Sequence, residues 1–392
     1  MELHVDRRPI RAVCRTVALV LAALGLAALA GAGAQAARSA IDLTPAVGAY
    51  RLPDGSVVSV FEQDGQFRFL DYATGEFRNL HPQSAGVFVG GPGVAVADPV
   101  SLTVAPGPLA KGRASWIAVN GVRATRIALV SQRASFVNGG VRLAGRLMTP
   151  ATTPGRRLPA VVIVPANRGS SDLWALFFAS HGYAVLTYER RGVRRSGGTY
   201  DHDATDANMR VLAQDALAGV AWLRHRPEID PSRIGLSGGS QAGWVIEVAA
   251  AASAQLRFVA MQSSPAMSAA RQAAYSTLTG YGRRAPSDEQ IASTLASVPD
   301  SGFDPKPYLA AIKVPMLWQL GSVDKRMYTP ETVADLAAAT AQSGNAFTVK
   351  VYAGGAHSLR LTTNGLTSEE QQSPGFVPGL FADLAAWLQT NG

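Results

Sequence analysis

The stretch Ile234-Gly235-Leu236-Ser237-Gly238-Gly239-Ser240-Gln241-Ala242-Gly243-Trp244 decides how the rest of this 392-residue chain is read. An apolar run that reads as a strand gives way to small residues, then a Ser, then small residues that open a helical run. A Ser held at so tight a strand-to-helix turn has strained backbone angles. The residues two before and two after it must be small so that the two arms can approach, and here they are Gly238 and Ala242. Such a turn aims the amide of Gln241 and the start of its helix at the point where negative charge develops. A phosphate-binding loop would need a Lys, and this turn has none. A Gly-rich loop around a buried Ser is the plainer alternative.

Outward from Ser240 the chain alternates between apolar runs and helical ones. Runs of strand character cover Ala160–Val164, Ala184–Tyr188, Ile234–Ser237, Phe258–Gln262, Met316–Leu320 and Thr348–Tyr352. Between or after them lie helical runs near 173–180, 206–224, 241–252, 331–342 and 380–388. Strands that are apolar throughout, separated by amphipathic helices, predict a mostly parallel, doubly wound α/β sheet covered on both faces. Its sites belong at the carboxyl ends of the strands. Ile127–Phe136 and Val141–Met148 flank Asn138-Gly139-Gly140 and read as a hairpin. Residues 265–312 are helical in composition without a convincing strand, and read as a helical cap over the strand ends or as a surface excursion.

A Ser hydroxyl needs a base to become a nucleophile. Of six His residues only His357 follows Ser240, in Tyr352-Ala353-Gly354-Gly355-Ala356-His357, just past an apolar strand. His181 and His225 close helices. His202 stands among Asp201, Asp203 and Asp206, with no second His or Cys near, and reads as a solvated helix start rather than a metal site. The acid is expected beyond another strand end, between nucleophile and base in chain order. Asp324 in Gly321-Ser322-Val323-Asp324 meets that condition, whereas Asp300, Asp304 and Asp335 follow no strand directly. A carboxylate there would hold the imidazole in the tautomer that accepts the Ser proton. A second oxyanion donor is expected after the strand Ala160–Val164, from the amide of Ala166 or Asn167, beside that of Gln241. Pro165 has no N–H and cannot serve.

Quoted together and in chain order, these residues resemble the α/β-hydrolase superfamily. Pro159-Ala160-Val161-Val162, Tyr188-Glu189-Arg190-Arg191-Gly192, the Ser240 turn, Leu320-Gly321-Ser322-Val323-Asp324 and Ala356-His357 carry the likeness. It is nearest to exported bacterial members grouped with dienelactone hydrolases, acyl esterases and prolyl oligopeptidase-like peptidases. The likeness covers residues 127–392. It departs at Pro165-Ala166, where the family commonly has His-Gly, and at Glu189, where Asp is more usual. The resemblance implies a serine hydrolase acting on a carboxylic ester through Ser240, Asp324 and His357, without a cofactor or metal. A peptidase or amidase using the same residues is the alternative, and a binding protein on the same fold is a third reading.

The rest of the chain frames that domain. At 47% hydrophobic and 16% charged residues the composition is globular, and the formal charge of +8 is spread without long basic runs, so no nucleic-acid partner is expected. Arg7, Arg8, Arg11 and Arg15 precede an apolar run from Thr16 to Ala30, with Ala34-Gln35-Ala36 after it. Residues 1–36 thus read as a signal peptide whose removal leaves an exported protein with no membrane span. Cys14, the one cysteine, falls inside it, which leaves no disulfide or Cys-based metal site. Residues 37–126 read as a small antiparallel β module and its connection, with strands near Ser56–Phe61 and Gln66–Tyr72 and turns such as Asp64-Gly65. The module holds none of the candidate catalytic residues.

Overall fold

The computed structural model describes residues 43–84, 86–151, 155–166, 172–345 and 347–392. The expected signal peptide lies outside the described residues. In the strand Leu158–Ile163, Val161 and Ile163 enter one core cluster while Ala160 and Val162 enter another, on opposite faces, and all four are buried. Side chains alternate along a strand, so a run with no polar position requires cover on both sides.

Among the described residues that strand lies within an eight-stranded sheet. The order is Leu129–Asn138, Val141–Pro150, Ala184–Tyr188, Leu158–Ile163, Ile229–Gly239, Val259–Gln262, Met316–Gly321 and Thr348–Tyr352. The first two form an antiparallel hairpin, the second also pairs antiparallel with the third, and every later pairing is parallel. Helices Asp206–Arg224 and Ala242–Ala252 supply one core, and Asp172–Ser180 and Leu380–Asn391 supply the other. In Asp206–Arg224 the buried Met209, Leu212, Ala213, Ala216, Val220 and Leu223 recur at helical spacing. Thr205 caps the helix by accepting the Asn208 N–H at 3.2 Å.

The N-terminal module is a nine-stranded antiparallel sheet among the described residues, running from Gly48 to Arg126. Its strands Val57–Gln63 and Gln66–Asp71 are joined by Asp64-Gly65, both at positive φ (54° and 73°), as a two-residue hairpin turn demands. The module shares a core with the hydrolase sheet. Phe61, Leu70, Tyr72 and Phe77 belong to the cluster that holds Phe177 and Phe381, and the Tyr72 ring meets Phe177 at 5.4 Å and Phe381 at 5.1 Å. Each such side chain taken out of water stabilises the joint by about 1.5–3 kcal/mol.

The excursion between two central strands forms helices Ala269–Leu278, Asp288–Ala296 and Lys306–Ala311. Ser287 and Gln290 close a reciprocal capping box on the second. No helix among the described residues is long and apolar enough to cross a membrane.

Candidate active site

Ser240 stands between the end of Ile229–Gly239 and the start of Ala242–Ala252 with φ of +55°. A non-glycine residue rarely adopts this region, at a cost of about 1–3 kcal/mol, and does so where the surroundings impose it. They do so here: the Ser240 N–H donates to the Gln262 carbonyl at 3.0 Å, and the Gly243 N–H to the Ser240 carbonyl at 2.9 Å. A Cβ on Gly238 would fall 2.9 Å from Ile246 Cδ1 and 3.1 Å from both Ala242 Cβ and the Val164 carbonyl. The two arms are as close as the sequence pattern required.

The structure brings His357 and Asp324 to Ser240. His357 Nε2 lies 3.1 Å from Ser240 Oγ, and its Nδ1 lies 2.8 Å from Asp324 Oδ2. Asp324 is 3% exposed, and its Oδ1 accepts the N–H groups of Arg326 and Met327 at 2.7 and 2.9 Å. One carboxylate oxygen is thus fixed by its own loop and the other is left for the imidazole. Backbone bonds staple the two loops together: Ser322 N–H to the Tyr352 carbonyl at 3.0 Å and Val323 N–H to the Gly355 carbonyl at 3.1 Å. The hydrogen-bond chain Ser–His–Asp is therefore a product of strand order, since Met316–Gly321 and Thr348–Tyr352 are neighbours in register.

Gln241, at the N-cap of the helix that follows Ser240, has φ of −54° and ψ of −25°. Its N–H is one of the helix-end donors that has no partner within the helix. The Ala166 carbonyl accepts from Arg190 Nη1 at 3.0 Å. Asn167 lies outside the described residues.

Sequence reasoning missed several residues around Ser240. A cavity of about 210 Å³ over Ser240 and His357 is walled by Phe77, Leu173, Trp174 and Phe376, with Arg360 at its side. Phe77 comes from the β module, as does Gln63 on the same wall. Burial holds the Arg360 guanidinium below its usual range, and it lies 4.9 Å from the Phe77 ring and 3.7 Å from Glu370. Cavities of about 400 and 620 Å³ lie elsewhere, around Arg156 and Arg233 and around Arg210 and Tyr308, and neither includes Ser240 or His357. Chemistry, not size, picks out the smaller one.

The helical excursion contributes no residue to that cavity's wall among the described residues. It meets the site from the side. The Tyr275 hydroxyl donates to the Asp324 carbonyl at 2.7 Å, and Ser276 Oγ to the Arg326 carbonyl at 2.8 Å. Asp300 instead binds Ser268 and Lys306, and Asp304 accepts the Lys306 N–H. His181 Nδ1 lies 2.7 Å from the Phe177 carbonyl at its helix end, and His225 is the C-cap of its helix. Asp201, His202 and Asp203 are close together but exposed, and no ion pair in the group is shorter than 3.6 Å.

Fold and site geometry together define a hydrolase built on the α/β-hydrolase sheet. The sequence model of the prolyl oligopeptidase family matches residues 169–381, more than half of the chain, and the chain belongs to that family. A polyketide transferase, claH, of Penicillium crustosum is 32% identical over 124 residues, which are 31% of this chain and 39% of that protein. An uncharacterized protein of Pseudomonas aeruginosa is 30% identical over 118 residues, 29% of this chain and 30% of its own length. The chain thus spans less than half the length of either relative. Among solved structures, the acylaminoacyl peptidase of Pyrococcus horikoshii superposes with a TM-score of 0.51 at 15% identity, over 85% of this chain and 55% of that one. This is a likeness of fold.

Proposed function

We propose that the protein is an exported serine esterase in which Ser240 attacks a carboxylic ester carbonyl, His357 takes the hydroxyl proton and Asp324 orients His357. The observation that carries this reading is the continuous contact from Ser240 Oγ to His357 Nε2 at 3.1 Å and from His357 Nδ1 to Asp324 Oδ2 at 2.8 Å. As the C–O bond breaks, His357 returns its proton to the leaving alcohol. Water then enters, gives its proton to His357 and releases the acid, which restores Ser240. The Gln241 amide faces the developing oxyanion together with a donor from the loop of Ala166 and Asn167.

A cavity of about 210 Å³ with aromatic walls favours a short or aromatic acyl group. Membership of the prolyl oligopeptidase family favours the second reading, a peptide or amide substrate cleaved by the same steps. Export rests on the basic residues, the apolar run and the Ala34-Gln35-Ala36 site at the N-terminus. The test is a panel of p-nitrophenyl esters of graded acyl length beside aminoacyl p-nitroanilides, with a fluorophosphonate label. Ester turnover, labelling at Ser240, and loss of both in Ser240→Ala support the esterase reading. Anilide turnover above ester turnover supports the peptidase, and labelling that survives in Ser240→Ala refutes Ser240 as nucleophile. N-terminal sequencing of the chain recovered from outside the cytoplasm tests export.

A further inference from the structure

Arg190 follows the strand Ala184–Tyr188 and is 2% exposed. Its Nη1 donates to the Ala166 carbonyl at 3.0 Å and to Gln241 Oε1 at 3.4 Å, and its Nη2 to the Asp201 carbonyl at 2.5 Å. The guanidinium lies 5.2 Å from the Tyr200 ring. It forms no ion pair among the described residues; the neighbouring carboxylates Asp215 and Glu189 are engaged by Arg191 and Arg195 instead. Its Nε has no hydrogen-bond partner among the described residues.

Burying a guanidinium without a counter-charge is costly, and apolar residues of similar volume fill such a space at lower cost. The Asp201 and Asp215 carboxylates act on the guanidinium from a distance without pairing with it, so its fork is spent on neutral acceptors. Besides the Asp201 carbonyl, the fork reaches one peptide carbonyl in the loop after Leu158–Ile163 and one side chain on the residue after Ser240. Those are the two segments from which the oxyanion donors come in the esterase reading, and Gln241 is tied further by its Nε2 to the His202 carbonyl at 3.1 Å.

We infer that Arg190 is a positioning residue for the oxyanion site, a buried clamp that joins the Ala166 loop to Gln241 and places a positive charge behind both. The inference rests on the acyl-enzyme reading. Holding the Ala166 carbonyl anchors the described end of the loop that follows Leu158–Ile163. Holding Gln241 by its side chain does not engage its backbone N–H. A positive charge set back from the site stabilises the tetrahedral anion more than the neutral ground state, so it acts on the chemical step. Lys can keep the charge but cannot span two acceptors with a planar fork.

The experiment compares wild type, Arg190→Gln and Arg190→Lys for kcat and KM on one p-nitrophenyl ester, with the inhibition constant of phenylboronic acid, whose adduct on Ser Oγ is tetrahedral and anionic. In Arg190→Gln, kcat is expected to fall roughly 10- to 100-fold with KM within about threefold, and boronate affinity to weaken in proportion. Arg190→Lys is expected to lie between. Gln241→Met, which removes the Oε1 acceptor and keeps the amide, is expected to lose roughly tenfold in kcat, and decides the matter if the Arg190 variants do not fold. A folded Arg190→Gln with wild-type kcat and boronate affinity, or a Gln241→Met with wild-type kcat where no Arg190 variant folds, overturns the clamp. If wild type neither reacts with fluorophosphonate nor turns over any ester, it is the esterase reading that fails, and the clamp falls with it.

Discussion

The Cβ of Ala242 lies 3.1 Å from where a Cβ on Gly238 would sit. Methyl groups at both of these positions would press on each other, and this chain carries one at the second alone. Gly238→Ala is expected to destabilise the protein by about 1–3 kcal/mol and to lower ester turnover, because the new methyl also meets Ile246 and the Val164 carbonyl. Adding Ala242→Gly should recover part of the loss. Denaturant unfolding of the two single variants and the double variant measures that coupling, and strict additivity would mean the arms do not press on each other.

Asp324→Asn isolates the role of the carboxylate. Its Oδ1 accepts two backbone N–H groups, so an Asn there keeps its oxygen on that side and turns its NH₂ toward His357. His357 Nδ1 must then accept, which puts the imidazole proton on Nε2, where it can no longer take a proton from Ser240. On the esterase reading kcat falls by roughly three to four orders of magnitude with little change in KM. Asp300→Asn and Asp304→Asn, bonded within the excursion, should stay within about tenfold of wild type. Steady-state kinetics on one ester decides, and a deep loss in either control with a near-normal Asp324→Asn would move the acid elsewhere.

Phe77 places the β module at the cavity over Ser240 and His357. Phe77→Leu keeps most of the buried volume, so it is expected to stay folded while KM for an aromatic acyl ester rises about three- to tenfold and kcat stays within about twofold. An unchanged KM across the ester panel would show that this wall does not contact substrate. Deleting residues 43–126 exposes Phe177 and Phe381, which the module covers, so the truncated chain is expected in the insoluble fraction.

What could be read before folding follows from what local sequence controls. The strand and helix pattern was legible because burial on both faces leaves long apolar runs, and the helix Asp206–Arg224 covers the run read from the sequence. Ser240, Asp324 and His357 were legible because each follows a strand, and strand ends meet on one edge of a parallel sheet. Arg190, Phe77 and Arg360 were not. Arg190 looks like any basic residue in a Gly-rich turn until its burial is known. Phe77 reaches the cavity from a separate sheet, 163 residues before Ser240 in the sequence. The excursion's part was also hidden: its helices were foreseeable, but not that Tyr275 would brace the Asp324 loop from the side.

Glu247 offers a test in which stability is read against pH. It lies one and a half turns into the helix Ala242–Ala252, is fully buried, and neither carboxyl oxygen has a hydrogen-bond partner among the described residues. Burial first, and then the charge of Asp304, push its carboxyl well above the usual range. In the unfolded chain a Glu ionises near about 4.3. Between that value and the raised native one, the folded protein holds a proton that the unfolded chain has released. Stability therefore falls as pH rises through the window, by up to about 1.4 kcal/mol for each unit, and is unaffected by this group below it. Asp335, pushed up to about 6 by burial, adds a slope of the same sign over the lower part of that window. Glu247→Gln removes one contribution and leaves the other. The variant is expected to match wild type in Tm near pH 4 and to exceed it by a margin that widens toward pH 8. Thermal unfolding of both proteins across that range gives the difference directly, and a margin that stays flat with pH would mean that Glu247 does not keep its proton in the folded state.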